Sequence, residues 1–251
     1  MALASGMQTA TAWEFAHGDR DNSGFANVTT APARGGSVSV PGLGRFALGA
    51  GPVIAPDGTV YVGTVGGKLT ALHADGSKFW SRDITPGESI VASPAISSDG
   101  SVYVIGVKTA TDESVNPPVT TVSSTLHRFN NSGAWLSQTP LPDDRGAGPA
   151  AFAPPMIWRS GGAEAIMIPI VYRHKYGGGH TLQLFALSLT GQVLASAKVG
   201  SVVPQIVGGT GRPGWVESSC LVPVLGWPLC LGGKAYDAPP HSGPFGQVSP
   251  V

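Results

Sequence analysis

His174 and His180 flank Lys175-Tyr176 and the run Gly177-Gly178-Gly179, with Arg173 immediately before them and Asp143-Asp144-Arg145 about thirty residues upstream. Two imidazoles on a glycine-rich loop form a donor set suited to Zn²⁺ or another transition metal. Asp143 or Asp144 would be the third ligand and a water would complete the shell. The same groups suit acid/base work in a hydrolase or lyase, with His174, His180, Asp143 or Asp144 moving protons and Arg145 or Arg173 holding an anion. A solvated hairpin tipped by three glycines accounts for the same residues without a metal.

Other candidate chemistry is thinner. Asp19, Asp21, Ser23 and Gly24 follow the opening of a Ca²⁺ loop, but Thr30 stands where the bidentate glutamate belongs, which favours a plain turn. No Gly-x-Ser-x-Gly elbow or Ser-x-x-Lys motif occurs, so a nucleophile such as Ser89 or Ser93 would have to meet His174 through the fold alone. His73 and His127 fall in strand-like runs and read as packed or solvent-facing strand residues. Cys220 and Cys230 are too few for a disulfide framework and wrongly spaced for a zinc ribbon. They read either as buried thiols or as one disulfide in an exported chain.

The elements that must position these groups come from a repeat. Gly76, Gly133 and Gly191 recur 57 and 58 residues apart. Around them recur short apolar runs flanking an Asp-Gly turn at Asp57-Gly58 and Asp99-Gly100, and alternating runs at Leu69–Leu72 and Leu182–Leu187. A last run then holds Phe79-Trp80, Trp135-Leu136 or Val193-Leu194. Asp-Gly between β-branched or aromatic runs is a strong hairpin signal, so each unit is expected to fold as four antiparallel strands. Such sheets repeated radially are propeller blades. Trp80 and Trp135 take matching places in this alignment, and both are expected to pack between blades.

Gly67-Lys-Leu-Thr-Ala-Leu-His-Ala-Asp-Gly-Ser-Lys-Phe-Trp80 resembles the blade motif of the pyrroloquinoline-quinone-like propeller repeat family. Trp13-Glu-Phe-Ala-His-Gly-Asp-Arg-Asp-Asn-Ser-Gly24 is similar to the opening segment of many such propellers. The resemblance spans about residues 13 to 200 and implies tryptophan docking between blades. It does not imply the quinone. The dehydrogenases of that superfamily use adjacent cysteines, a stacking tryptophan and Ca²⁺ held by Glu, Asn and Asp, whereas nine residues separate Cys220 from Cys230 here. Many relatives with these blades are non-catalytic scaffolds, including lipoproteins of outer-membrane assembly.

Composition fits an all-β, turn-rich chain. Its 251 residues include 36 Gly and 22 Pro, yet 42% are hydrophobic and only 12% charged, which excludes both a disordered and a long-helix protein. Fifteen basic against fifteen acidic residues leave no footprint for nucleic acid or an anionic membrane. No apolar window reaches the roughly 20 residues of a membrane helix, and the first six residues show no signal-peptide pattern.

At about 57 residues per unit the chain holds about four blades or an incomplete ring. Residues 13–200 carry the repeat, and residues 201–251 read as a divergent last blade, a disordered tail or an abnormal terminus. Gly36 to Gly49 is a candidate closing strand, and open blade edges offer a route to a homo-oligomer. The B–C insert Lys108 to Ser123, Glu88, Asp143-Asp144-Arg145 and Arg173 to His180 should all meet on one loop face. That face is expected to bind a small molecule, a glycan or a protein.

Overall fold

A computed structural model describes residues 39–47, 50–116, 119–143, 148–173, 180–202, 221–224 and 227–230. Three successive antiparallel sheets follow one plan, giving an all-β propeller of four-stranded blades. Blade 1 comprises β1 (Val53–Ile54), β2 (Val60–Gly63), β3 (Lys68–Leu72) and β4 (Lys78–Asp83), paired in that order. Blade 2 splits its inner strand into β5 (Ser89–Ile90) and β6 (Ala95–Ile96), both on β7 (Val102–Asp112), followed by β8 (Val119–Phe129) and β9 (Trp135–Pro140). Blade 3 repeats the split with β10 (Pro149–Ala150) and β11 (Met156–Ser160) on β12 (Ala163–Arg173), then β13 (His180–Leu187) and β14 (Val193–Val202).

Beyond the blades, β15 (Leu221–Val224) and β16 (Trp227–Cys230) form a hairpin that sets Leu221 opposite Cys230; Cys220 lies outside the described residues. The anticipated closing strand is absent over residues 39–47, where the backbone instead holds Val65 N on Arg45 O at 2.9 Å. Among the described residues no helix is long and apolar enough to cross a membrane.

One turn closes the outer hairpin of every blade. His73, Asn130 and Ser188 accept from the N–H of Gly76, Gly133 and Gly191, and these glycines have φ of 83°, 81° and 91°. Only glycine adopts that backbone without cost, which is why the repeat announces itself through these positions. The Asp-Gly turns add a side-chain acceptor: Asp57 Oδ1 takes Thr59 N, and Asp99 Oδ1 takes Ser101 N, each at 2.9 Å.

Alternation along the second and third strands gives each blade two apolar faces. Val102, Val104 and Phe129 turn toward blade 1 and join Tyr61, Ala71, Trp80 and Ile90 in one layer. Tyr103, Ile105 and Leu126 turn the other way and meet Ile166, Ile168, Ile170 and Phe185 of blade 3. The core therefore lies between the sheets.

A latch crosses each of these layers. Trp80 Nε1 donates to Asn131 O at 2.8 Å, and Tyr103 Oη donates to Leu189 O at 3.0 Å. Each acceptor lies two residues before the turn glycine of the following blade.

The register corrects the expected tryptophan pair. Lys78 faces Leu72 and Trp80 faces Ala71, while Trp135 faces Phe129 and Ser137 faces Arg128. Trp135 thus corresponds to Lys78, and Ser137 is the counterpart of Trp80. Trp80 is buried against Tyr61 and Phe129, with ring centroids at 5.7 and 6.3 Å; Trp135 is 46% exposed. At the second interface Tyr103 supplies the latch, from another strand.

Candidate functional site

The segment joining β4 to β5 is fastened to the β2–β3 turn of blade 1. Ile84 N donates to Gly67 O at 2.8 Å and Ile90 N to Thr64 O at 3.0 Å, with the Glu88 carbonyl lying against Gly67. This anchorage turns the Glu88 side chain into the face of blade 2. There Glu88 Oε1 accepts from Thr125 Oγ1 at 2.7 Å, and Oε2 lies 2.6 Å from His127 Nε2. His127 is 0% exposed and Glu88 is buried.

Burial pushes the His127 imidazole below its ordinary range, outweighing the upward pull of the hydrogen bond and charge of Glu88. The ring is therefore neutral near pH 7. Its Nε2–H donates to Glu88, and Nδ1 carries a lone pair with no hydrogen-bond partner. A carboxylate that fixes a tautomer and leaves the other nitrogen basic is the arrangement used to prepare an imidazole for proton transfer or ligation. Here the ring is enclosed, with Trp135 edge-on at 5.4 Å between centroids. The fold does not demand a polar group at this position: β13 places Phe185 opposite Ile168 as β8 places His127 opposite Val104.

Gly106 makes room for the pair. A Cβ there would collide with Glu88 Oε2 and come within 2.9 Å of His127 Nε2. Gly106→Ala should cost about 1–3 kcal/mol through overpacking. Gly51→Ala, where the nearest atom would be Ser93 Oγ at 3.7 Å, should change stability by less than about 0.5 kcal/mol. Urea midpoints of the two variants check the contrast.

The residues singled out from the sequence are dispersed differently. Asp143 is exposed, and its Oδ1 accepts from Gly148 N at 3.2 Å. Arg173 and His180 are register partners at the ends of β12 and β13. Asp144, Arg145 and His174 lie outside the described residues, as do the Asp19 to Thr30 loop and the Trp13 segment. Among the described residues no group of three His, Cys, Asp or Glu side chains could hold a metal ion. Ser93 is buried and accepts from Gly51 N at 2.8 Å, a structural role, and His73 is exposed in the turn after β3, 4.8 Å from the Phe79 ring.

The insert expected as a loop from Lys108 to Ser123 is a β-hairpin. Register continues from Lys108↔Ser123 to Asp112↔Val119, and Asp112 Oδ1 shapes the tip by accepting Ser114 N at 2.9 Å and Ser114 Oγ at 2.6 Å. Glu88, expected on the loop face, instead has its side-chain partners in the interior. A signal for it was present: Thr125, His127 and Phe129 alternate along a strand facing Val102, Val104 and Gly106, which puts a histidine in an apolar row.

No protein-family model and no curated protein matches the chain. Among solved structures it is similar to "The crystal structure of BamB from Moraxella catarrhalis", at 15% identity and a TM-score of 0.33. That match covers 64% of this chain and 53% of the other, so this chain spans about half of that protein's length.

Proposed function

We propose that the protein is a non-catalytic binding scaffold whose working element is the β7–β8 arm, and that its ligand is an extended polypeptide. The observation that carries this reading is the open ladder of the arm. β5 and β6 flank β7 only as far as Val107, and β9 flanks β8 only from Thr125 onward. The five residue pairs from Lys108↔Ser123 to Asp112↔Val119 thus extend about 17 Å past the strands paired to β7 and β8; Gly148, just before β10, packs on the backbone of Val122 at the base of the arm, and among the described residues no strand is paired to the arm's outer edges.

Unpaired N–H and C=O groups in a row recruit another strand unless charge or proline blunts the edge. Thr109, Thr111, Thr120 and Thr121 favour extended pairing, and Lys108 and Asp112 are the only charges in the paired segments. Glu88, Asp143 and the ends of β12 and β13 belong to the same end of the blades.

Peptide selection tests it. A displayed library of random peptides is panned on the whole protein and on a variant in which residues 109–122 are replaced by Asn-Gly. Enriched peptides should lose at least tenfold in affinity for the variant. Peptides that bind both proteins equally, or no enrichment at all, would overturn the reading.

A further inference from the structure

The two edges of the arm differ in what they offer. Ser101, just before β7, accepts from Ser97 N at 3.0 Å, so the odd-numbered residues of β7 direct their backbone groups toward the inner strands. Val107 meets Ser89 there. The ladder to β8 runs from Val102 to Asp112 without a register shift, so Thr109 and Thr111 present N–H and C=O to the open edge. On the other side Leu141 N donates to Ser124 O at 2.9 Å, which makes Val122 and Thr120 the outward residues of β8. A Cβ on Gly148 would collide with Val122 O, so the backbone of Val122 is covered. The β7 edge is the accessible one.

That edge is complementary to itself. Lys108-Thr109-Ala110-Thr111-Asp112 places a base and an acid symmetrically about Ala110, with a threonine on either side. An identical strand laid antiparallel, with a two-fold axis at Ala110, sets Lys108 opposite Asp112 at both ends and Thr109 opposite Thr111 between them. The threonines carry the outward groups and so form the hydrogen-bonded pairs. Lys108 and Asp112 fall in the other kind of pair, where Cα atoms stand about 4.5 Å apart and side chains are closest. Lys108 has no ion pair among the described residues, and Ser114 engages only Oδ1 of Asp112.

Register is limited in both directions. A two-residue shift toward the base would put the incoming strand where Ser89 already pairs with Val107. A one-residue shift sets outward groups against inward ones, and a shift toward the tips separates both ion pairs. Asp112 is the last residue of β7, and its bond from Ser114 N turns the chain off the strand where the ladder must stop.

We infer that two copies of the chain associate through their arms, by antiparallel addition of β7 to β7. The inference rests on the open arm of the proposed function and names the strand that occupies its accessible edge. The contact uses the same surface on both copies, so it closes as a dimer and does not propagate. A lysine on an open edge deters unwanted strands; here it admits the one strand with a carboxylate in the facing place. The shared ladder is short, so the dimer forms and dissociates with concentration. A peptide ligand competes with the second copy for this edge, and the dimer keeps the edge covered until such a ligand displaces it.

Sedimentation of the full chain at low ionic strength, over a hundredfold range of concentration, should show a monomer–dimer equilibrium that high salt weakens. Thr111→Pro removes an outward N–H without touching the ladder to β8. It should weaken the dimer at least tenfold with circular dichroism unchanged, whereas Thr120→Pro, the same change on the other edge, should leave association as it was. Lys108→Glu and Asp112→Lys should each be monomeric alone and should dimerise when mixed, because only the mixed pair sets unlike charges opposite at both ends. If Asp112→Lys fails to fold, the two proline variants decide. A wild-type chain that stays monomeric, or a dimer that survives Thr111→Pro or replacement of residues 109–122 by Asn-Gly, would overturn the self-pairing. A monomeric chain whose selected peptides still need the arm would overturn it too, while leaving peptide binding in place. A dimer that behaves as described but selects no peptides would instead overturn the proposed peptide binding alone.

Discussion

Trp80→Ala should lower the unfolding free energy by about 3–5 kcal/mol, the usual cost of emptying a buried tryptophan site, whereas Trp135→Ala should cost less than about 1 kcal/mol. Trp80 fills the layer between two blades, stacks near Tyr61 and Phe129, and spends its one polar hydrogen on Asn131 O. Its removal opens a cavity and strands that carbonyl. Trp135 lies two places earlier in the bulged strand, bonds Ser137 O of its own strand at 3.0 Å, and keeps nearly half its surface in water. Chemical denaturation of the two variants measures the difference. Equal losses would mean that register does not decide which tryptophan docks.

The second large effect concerns Glu88 and His127. His127→Ala removes one member of a buried pair and leaves the Glu88 carboxylate with Thr125 as its remaining side-chain partner, so about 3–5 kcal/mol should be lost. The double variant Glu88→Leu/His127→Phe fills the space with apolar groups, as blade 3 does with Phe185. It should be neutral or more stable by about 1–4 kcal/mol.

Dependence on pH separates the two further. Because burial lowers the folded-state pKa of His127 below its unfolded value near 6.5, the unfolded chain binds a proton in that interval that the folded chain does not. Stability therefore rises with pH there. It is complete above about pH 7 and declines as pH falls through the ordinary histidine value, by at most about 1.4 kcal/mol per unit for this group. The double variant lacks this contribution. Parallel stability profiles for wild type and double variant between pH 5 and 7 would refute the assignment.

What could be read from the chain was whatever a local rule enforces. A glycine at positive φ has no substitute, so Gly76, Gly133 and Gly191 marked the outer turns, and Asp-Gly marked the inner ones. The alignment of Trp135 with Trp80 failed because both follow a turn glycine closely, at two residues in one blade and four in the other. Only the ladder, with its bulge, says which of these positions faces inward. The arm was hidden because Thr-rich sequence supports a loop as well as a strand until the partner strand is known.

Glu88 and His127 lie 39 residues apart and belong to no motif; they meet because one sits on the link between blades and the other on a strand face. Spacing therefore pointed to the histidine pair around 174–180 and passed over the buried one.

The latches also set a schedule for synthesis. Trp80 waits for Asn131, 51 residues downstream, and Tyr103 for Leu189, 86 residues downstream. At about 5–20 residues per second, those delays are roughly 3–10 s and 4–17 s. During that time the inward face of a finished sheet stands open beside the ribosome. Each blade thus becomes a template for the next, and the nascent chain is most vulnerable to aggregation just after a blade forms and before its successor emerges.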